Sequence, residues 1–75
     1  MPMNATRGRD YQRFLKRLRA ARVAAGLTQV EAARRLRTTQ AFISKSESGD
    51  RRVDAGEIVR FAKLYGCRPA DFFEA

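Results

Sequence analysis

The chain has 75 residues, enough for one small domain, and carries 16 Lys and Arg residues against 8 Asp and Glu. The net charge of +8 and the pI of about 11.1 indicate a polyanionic partner or an anionic membrane surface. No apolar run approaches the roughly 18 residues of a membrane-spanning helix, so nucleic acid is the favoured partner and a membrane is not expected.

The composition also argues against an enzyme. The chain has no His, and its five Gly residues form no phosphate-binding loop. We therefore expect no catalytic residue, metal, cofactor or small-molecule ligand. The single cysteine, Cys67, cannot form an internal disulfide, which fits a cytoplasmic protein.

Residues 1–9 lack periodicity and are predicted to be a flexible basic arm, followed by one helical domain over 10–75. Helix 1 is predicted to start after Asp10 and to end before Gly26. Its apolar face is formed by Tyr11, Phe14, Leu15, Leu18 and Ala25.

Two short helices follow, separated by a tight turn. Thr28 and Glu31 form a capping-box pattern at the start of helix 2, predicted over Gln29–Leu36, in which Val30, Ala33 and Leu36 recur at helical spacing. Thr39 is the predicted N-cap of helix 3, over Gln40–Ser48. Two helices joined this way form a helix-turn-helix, whose second helix enters the DNA major groove.

Two more helices complete the predicted domain. Asp54 and Glu57 cap helix 4, whose apolar residues lead to Gly66, and Pro69 opens a short helix 5. The apolar residues of helix 4 are Ile58, Val59, Phe61, Ala62 and Tyr65. The prediction is an all-α domain of five helices.

Three fragments carry a family resemblance: the run from Leu18-Arg19 through Arg22 to Gly26-Leu27-Thr28-Gln29, the run from Gln40 through Ile43-Ser44-Lys45 to Glu47-Ser48-Gly49, and Leu64-Tyr65-Gly66. In this order and spacing they resemble the lambda-repressor-like, Cro-type (Xre) helix-turn-helix regulators. The resemblance spans roughly residues 14–73. It implies a compact five-helix DNA-binding domain that dimerises on a palindromic operator, as prokaryotic repressors do.

Three residues depart from the family pattern. Arg37 stands where the turn commonly has Gly in a left-handed conformation, which costs a non-Gly residue about 1 kcal/mol. Ser46 stands where a larger apolar residue is usual, and Gly56 replaces a residue that normally adds to the core. These departures bear on stability more than on function.

Successive residues of a helix are rotated by 100° about its axis, and this rotation divides helix 3 into two faces. Ile43 and Glu47 point towards the core, and the opposite face presents the predicted base-reading residues: Gln40, Ala41, Ser44 and Lys45. A Gln amide matches adenine N6 and N7, Ala suits a thymine methyl, and Lys takes a guanine edge or a phosphate. The residues predicted to position phosphates are Gln29, Thr39, Arg22, Arg51 and Arg52.

Two further pairs have predicted structural roles. The resemblance pairs Arg22 of helix 1 with Glu47 of helix 3, and we expect a buried ion pair with the Ser46 hydroxyl joining this polar cluster. Phe72 and Phe73 are adjacent on the last helix and about 100° apart, so one ring is expected inward and the other in a homodimer interface.

The leading interpretation is a non-enzymatic transcriptional regulator that binds operator DNA as a homodimer. Two alternatives remain open. The helix-turn-helix scaffold could bind another protein through the same face, or the chain could bind nucleic acid without sequence preference.

Overall fold

The computed structural model describes residues 8–74, and every regular element in that range is helical. The elements are α1 (Arg9–Ala24), α2 (Gln29–Leu36), α3 (Gln40–Ser48), α4 (Ala55–Tyr65) and a 3-10 helix (Pro69–Phe72). The predicted bounds of helices 2 and 3 are confirmed. No helix of residues 8–74 is both long and apolar enough to cross a membrane.

Both ends of the predicted architecture need correction. The predicted short helix 5 begins at Pro69 as expected, but its four residues form a 3-10 helix, in which Asp71 N donates to Arg68 O at 2.9 Å, because so short a segment favours bonds three residues apart. The described residues therefore form four α-helices, not five. At the other end, α1 begins at Arg9, two residues earlier than predicted, with Gly8 as its N-cap. Residues 1–7 of the predicted arm lie outside the described residues.

Three helices start at the predicted caps. The Thr28 hydroxyl accepts from Glu31 N at 3.1 Å, and the Glu31 carboxylate accepts from Thr28 N at 2.8 Å. Thr39 caps α3 by accepting from Phe42 N at 3.1 Å. Asp54 and Glu57 form a second capping box at α4. These bonds satisfy amides that a helix start leaves without a partner, and they hold α2 and α3 at defined starting points.

The turn between α2 and α3 uses a left-handed residue, as predicted. Arg37 has φ 57° and ψ 47°, and its N–H closes the last turn of α2 by bonding to Arg34 O at 3.1 Å. The Arg60 side chain on α4 donates to Leu36 O at 2.9 Å. This bond satisfies a carbonyl at the end of α2 and ties α2 to α4.

Large side chains from four elements meet in one core. Phe14, Leu18, Ile43, Phe61 and Phe72 are each no more than 1% exposed. The core therefore joins α1, α3, α4 and the 3-10 helix, and it fixes the inner face of α3.

Three apolar residues predicted on inner faces lie outside this core. Val30 is 51% exposed and Val59 is 49% exposed, while Ala25 at the end of α1 is also exposed. In α2 the buried positions are Ala32 and Ala33. Val30 is on the first turn of α2, and its helical spacing alone did not place it inside.

Candidate nucleic-acid interface

The outer face of α3 presents the residues predicted to read bases. Gln40, Ala41 and Lys45 are exposed, and Ser44 is half-buried at the edge of a recess between α1, the start of α2 and α3. The inner face is held by Ile43 in the core. A short, capped helix with small polar side chains outside can enter a major groove.

A chain of side-chain hydrogen bonds connects this outer face to α1. Gln40 Nε2 donates to Gln29 Oε1 at 3.1 Å, and Gln29 Nε2 donates to Glu47 Oε1 at 3.2 Å. Glu47 in turn accepts from Arg22 Nη2 at 3.1 Å and, through its other oxygen, from Arg22 Nε at 2.6 Å. The exposed Gln40 amide is therefore tied to a bidentate ion pair below it.

The Arg22–Glu47 pair is nearly closed to solvent. The two side chains are 9% and 6% exposed, and Arg22 Nη1 also donates to Leu27 O at 2.9 Å. Hydrogen bonding to Glu47 raises the pKa of Arg22 above its ordinary value. With all three nitrogens engaged inside the fold, Arg22 links α3 to α1. Its predicted contact with a phosphate stays a prediction.

Ser46 is fully buried but does not join that ion pair, which corrects the expectation made for it. Its hydroxyl donates to Phe42 O at 2.7 Å within α3 and accepts from Arg51 Nη1 at 3.1 Å. Successive helix positions turn by 100°, which directs Ser46 towards the α4 side of α3 while Glu47 faces α1.

Arg51 belongs to this second polar cluster. Its Nη1 and Nη2 atoms donate to the two carboxylate oxygens of Glu57, both at 2.9 Å, and its guanidinium lies 4.2 Å from the centre of the Phe42 ring. Arg51 therefore joins the loop after α3 to the start of α4, and its predicted contact with a phosphate stays a prediction.

The family comparison agrees with this geometry. A family model described as a helix-turn-helix domain matches residues 13–73, most of the 75-residue chain. The chain belongs to the helix-turn-helix domain family. No curated protein and no solved structure matches the chain.

Membership in the helix-turn-helix family indicates DNA binding. The two short helices of the motif are α2 and α3. In helix-turn-helix proteins generally, the second helix of the motif is the one that enters the major groove. The 13–73 match covers both polar clusters as well as the motif itself.

Several polar groups of this helix-turn-helix domain remain available to phosphates. Arg52 is exposed next to the paired Arg51, and Thr39 is exposed at the start of α3. Gln29 opens α2, where backbone amides and the helix dipole favour an anion. Arg19 borders the same recess as Ser44, although the sequence pattern did not single it out. The signal that the sequence offers is its spacing of three from Arg22, which places both residues on one side of α1.

The two adjacent phenylalanines of the helix-turn-helix domain have different surroundings. Phe72 is 1% exposed, whereas Phe73 is 60% exposed and stacks on Phe14 with ring centres 5.5 Å apart. Phe72 is therefore the ring that faces inward as part of the core, and a homodimer interface at this end of the chain stays a prediction. Phe73 is the exposed ring of the predicted pair.

Proposed function

We propose that this chain is a sequence-specific transcriptional regulator of the Cro-type (Xre) kind, without enzymatic activity. It inserts α3 into the major groove of each half of a two-fold operator. The observation that carries this proposal is the exposed face of α3, held in place from behind by Ile43 and the buried Arg22–Glu47 pair. Preorganised polar side chains on a rigid helix favour reading of base edges.

Each residue of that face has a chemical task in the proposal. Gln40 reads adenine through N6 and N7, Ala41 contacts a thymine methyl, and Lys45 meets a guanine edge or a phosphate. Ser44 makes a permissive contact at the edge of the recess. Gln29, Thr39, Arg19 and Arg52 position the protein on the backbone, a task that carries little sequence information.

Phe73 supports a homodimer. An exposed aromatic ring stacked on a core ring can be buried against a second copy without rearranging the domain. Two-fold pairing would separate the two α3 helices by about one turn of DNA, or roughly 34 Å. Phe73→Ala is expected to lower the sedimentation mass to that of a monomer while the protein stays folded; a Phe73→Ala dimer would place the interface elsewhere.

Selection of binding sites from randomised duplex DNA tests the proposal most directly. We expect a two-fold consensus, and a steep decrease of log K with log salt of about 0.9 per neutralised phosphate. If selected and scrambled duplexes bind equally, the chain is a non-specific nucleic-acid binder. If no duplex binds, or if a selected duplex binds with a salt slope near zero, DNA is not the main partner, and a protein partner becomes the better interpretation.

Two substitutions separate base reading from phosphate contact. Gln40→Ala is expected to cost roughly 1–3 kcal/mol on the selected site and to relax preference at one base pair in each half-site. Arg52→Ala is the matched control and is expected to weaken selected and random sequences alike. Equal losses for both variants on both kinds of DNA would remove Gln40 from the set of base-reading residues.

A further inference from the structure

We propose that Glu47 determines the base preference of Gln40 without contacting DNA, by fixing the orientation of two side-chain amides. This inference rests on the proposed function and adds a specificity-determining residue to it. The Glu47 side chain is 6% exposed and lies on the inner face of α3, so it can influence the DNA groove only through other side chains.

The argument starts from the carboxylate, which accepts hydrogen bonds and donates none when ionised. Glu47 Oε1 accepts from Arg22 Nη2 and lies 3.2 Å from the Gln29 side chain. Only the NH₂ end of the Gln29 amide can satisfy this contact. The opposite orientation would place two oxygens against each other in a largely desolvated site.

The orientation of Gln29 then determines that of Gln40. With its NH₂ group facing Glu47, Gln29 presents Oε1 to Gln40, and Gln40 Nε2 donates to it at 3.1 Å. One N–H and the Oε1 of Gln40 remain free for the groove. This donor and acceptor match N7 and N6 of adenine.

The same arrangement disfavours guanine. Guanine presents two acceptors, N7 and O6, in the major groove, and a Gln with one free N–H can satisfy only one of them. A Gln with both N–H groups free would suit guanine better. The charge of Glu47 therefore selects between two base preferences through two intervening amides.

Glu47→Gln removes this selection because an amide can donate as well as accept. The new oxygen would keep the short 2.6 Å contact with Arg22 Nε, leaving the new NH₂ group to face Gln29 and Arg22 Nη2, whose hydrogen bond to this position is lost. Gln29 would then turn its NH₂ group to Gln40, and Gln40 would accept from it and direct two donors into the groove.

The experiment compares selected sites for the parent, Glu47→Gln and Glu57→Gln. Glu57→Gln is the matched control, because it removes a carboxylate from the other bidentate pair, outside this chain of amides. Gln40→Ala identifies the base pair concerned. At that pair we expect the parent to prefer adenine over guanine at least about fivefold, and Glu57→Gln to keep that ratio. For Glu47→Gln the ratio falls to one or reverses.

Gln29→Ala tests the same connection without breaking the ion pair, in case Glu47→Gln does not fold. It is expected to lower the adenine-to-guanine ratio, whereas loss of a phosphate contact alone would weaken all sequences equally. An adenine preference unchanged in Gln29→Ala, or in folded Glu47→Gln, would overturn the inference while leaving sequence-specific binding intact. A parent protein that selects no sequence would instead overturn the proposed function.

Discussion

Arg22 and Arg51 each hold a glutamate through two charge-assisted hydrogen bonds, but the two pairs lie in different surroundings. The side chains of Arg22 and Glu47 are 9% and 6% exposed, whereas those of Arg51 and Glu57 are 30% and 18% exposed. The first pair joins residues 25 positions apart on α1 and α3, and the second joins residues six positions apart.

Because the two pairs differ in burial, they contribute differently to the stability of the fold. A buried charge left without its partner keeps the full cost of desolvation, while a charge at the surface regains water. The buried pair therefore fixes where α3 sits on the core. The more exposed pair organises the segment between α3 and α4, where Glu57 also accepts from Asp54 N at 3.0 Å.

The largest expected effect is on the buried pair. Glu47→Ala leaves the Arg22 guanidinium in a nearly closed site and is expected to reduce the free energy of unfolding by about 3–5 kcal/mol. Urea melts followed by circular dichroism measure this loss. A midpoint equal to that of the parent would show that the buried pair contributes nothing to stability and that burial does not separate the two pairs.

Ser46 tests whether the second cluster is a satisfied polar site or an underfilled one. Ser46→Leu is expected to destabilise the domain by about 1–3 kcal/mol, because the fully buried hydroxyl is already bonded to Phe42 and Arg51, and a leucine would break these bonds. Ser46→Ala, which adds no volume, is the control and should cost about 1 kcal/mol. A more stable leucine variant would indicate a cavity.

Glu57→Gln sharpens the contrast between the pairs. We expect a loss of about 1–2 kcal/mol, smaller than that of Glu47→Ala, because the exposed part of the pair is screened by water. The same urea melts apply. A loss equal to that of Glu47→Ala would mean that burial does not separate the two pairs.

The same pair predicts a modest pH dependence. Hydrogen bonding from Arg51, with a further bond from Asp54 N, lowers the pKa of Glu57 below its ordinary value of 4.5. Because this pKa is lower in the folded state than in the unfolded chain, ionised Glu57 stabilises the fold above about pH 4.5. This stability is lost as the pH falls through the pKa that Glu57 has in the folded state. Glu57→Gln should therefore lose less stability than the parent on acidification; parallel curves would contradict this.

Arg68 is expected to give the smallest effect. Its side chain is 70% exposed and bonds to Asp71 and Glu74 at the surface. Arg68→Ala should leave the urea midpoint indistinguishable from that of the parent, because solvent replaces these contacts. A clear shift would show that surface pairs in this chain also carry stability.

The sequence by itself predicted the features that depend on residues close together in the chain. Thr28, Thr39 and Asp54 cap their helices through bonds to residues three positions on. Such bonds form within a single turn, so residue type and spacing are enough to predict them. The Arg22–Glu47 pair was expected from the family resemblance, not from local pattern.

Only the tertiary structure decided which polar and apolar groups find partners across elements. Arg51 and Ser46 meet because the loop after α3 folds back onto it, and Phe72 is buried while Phe73 is exposed because only one ring can face α1 and α4 together. The connection from Gln40 to Glu47 likewise depends on how α2 and α3 pack. Helical spacing gives the direction of a side chain from its own axis, but the neighbour that it meets is set by the packing of the whole domain.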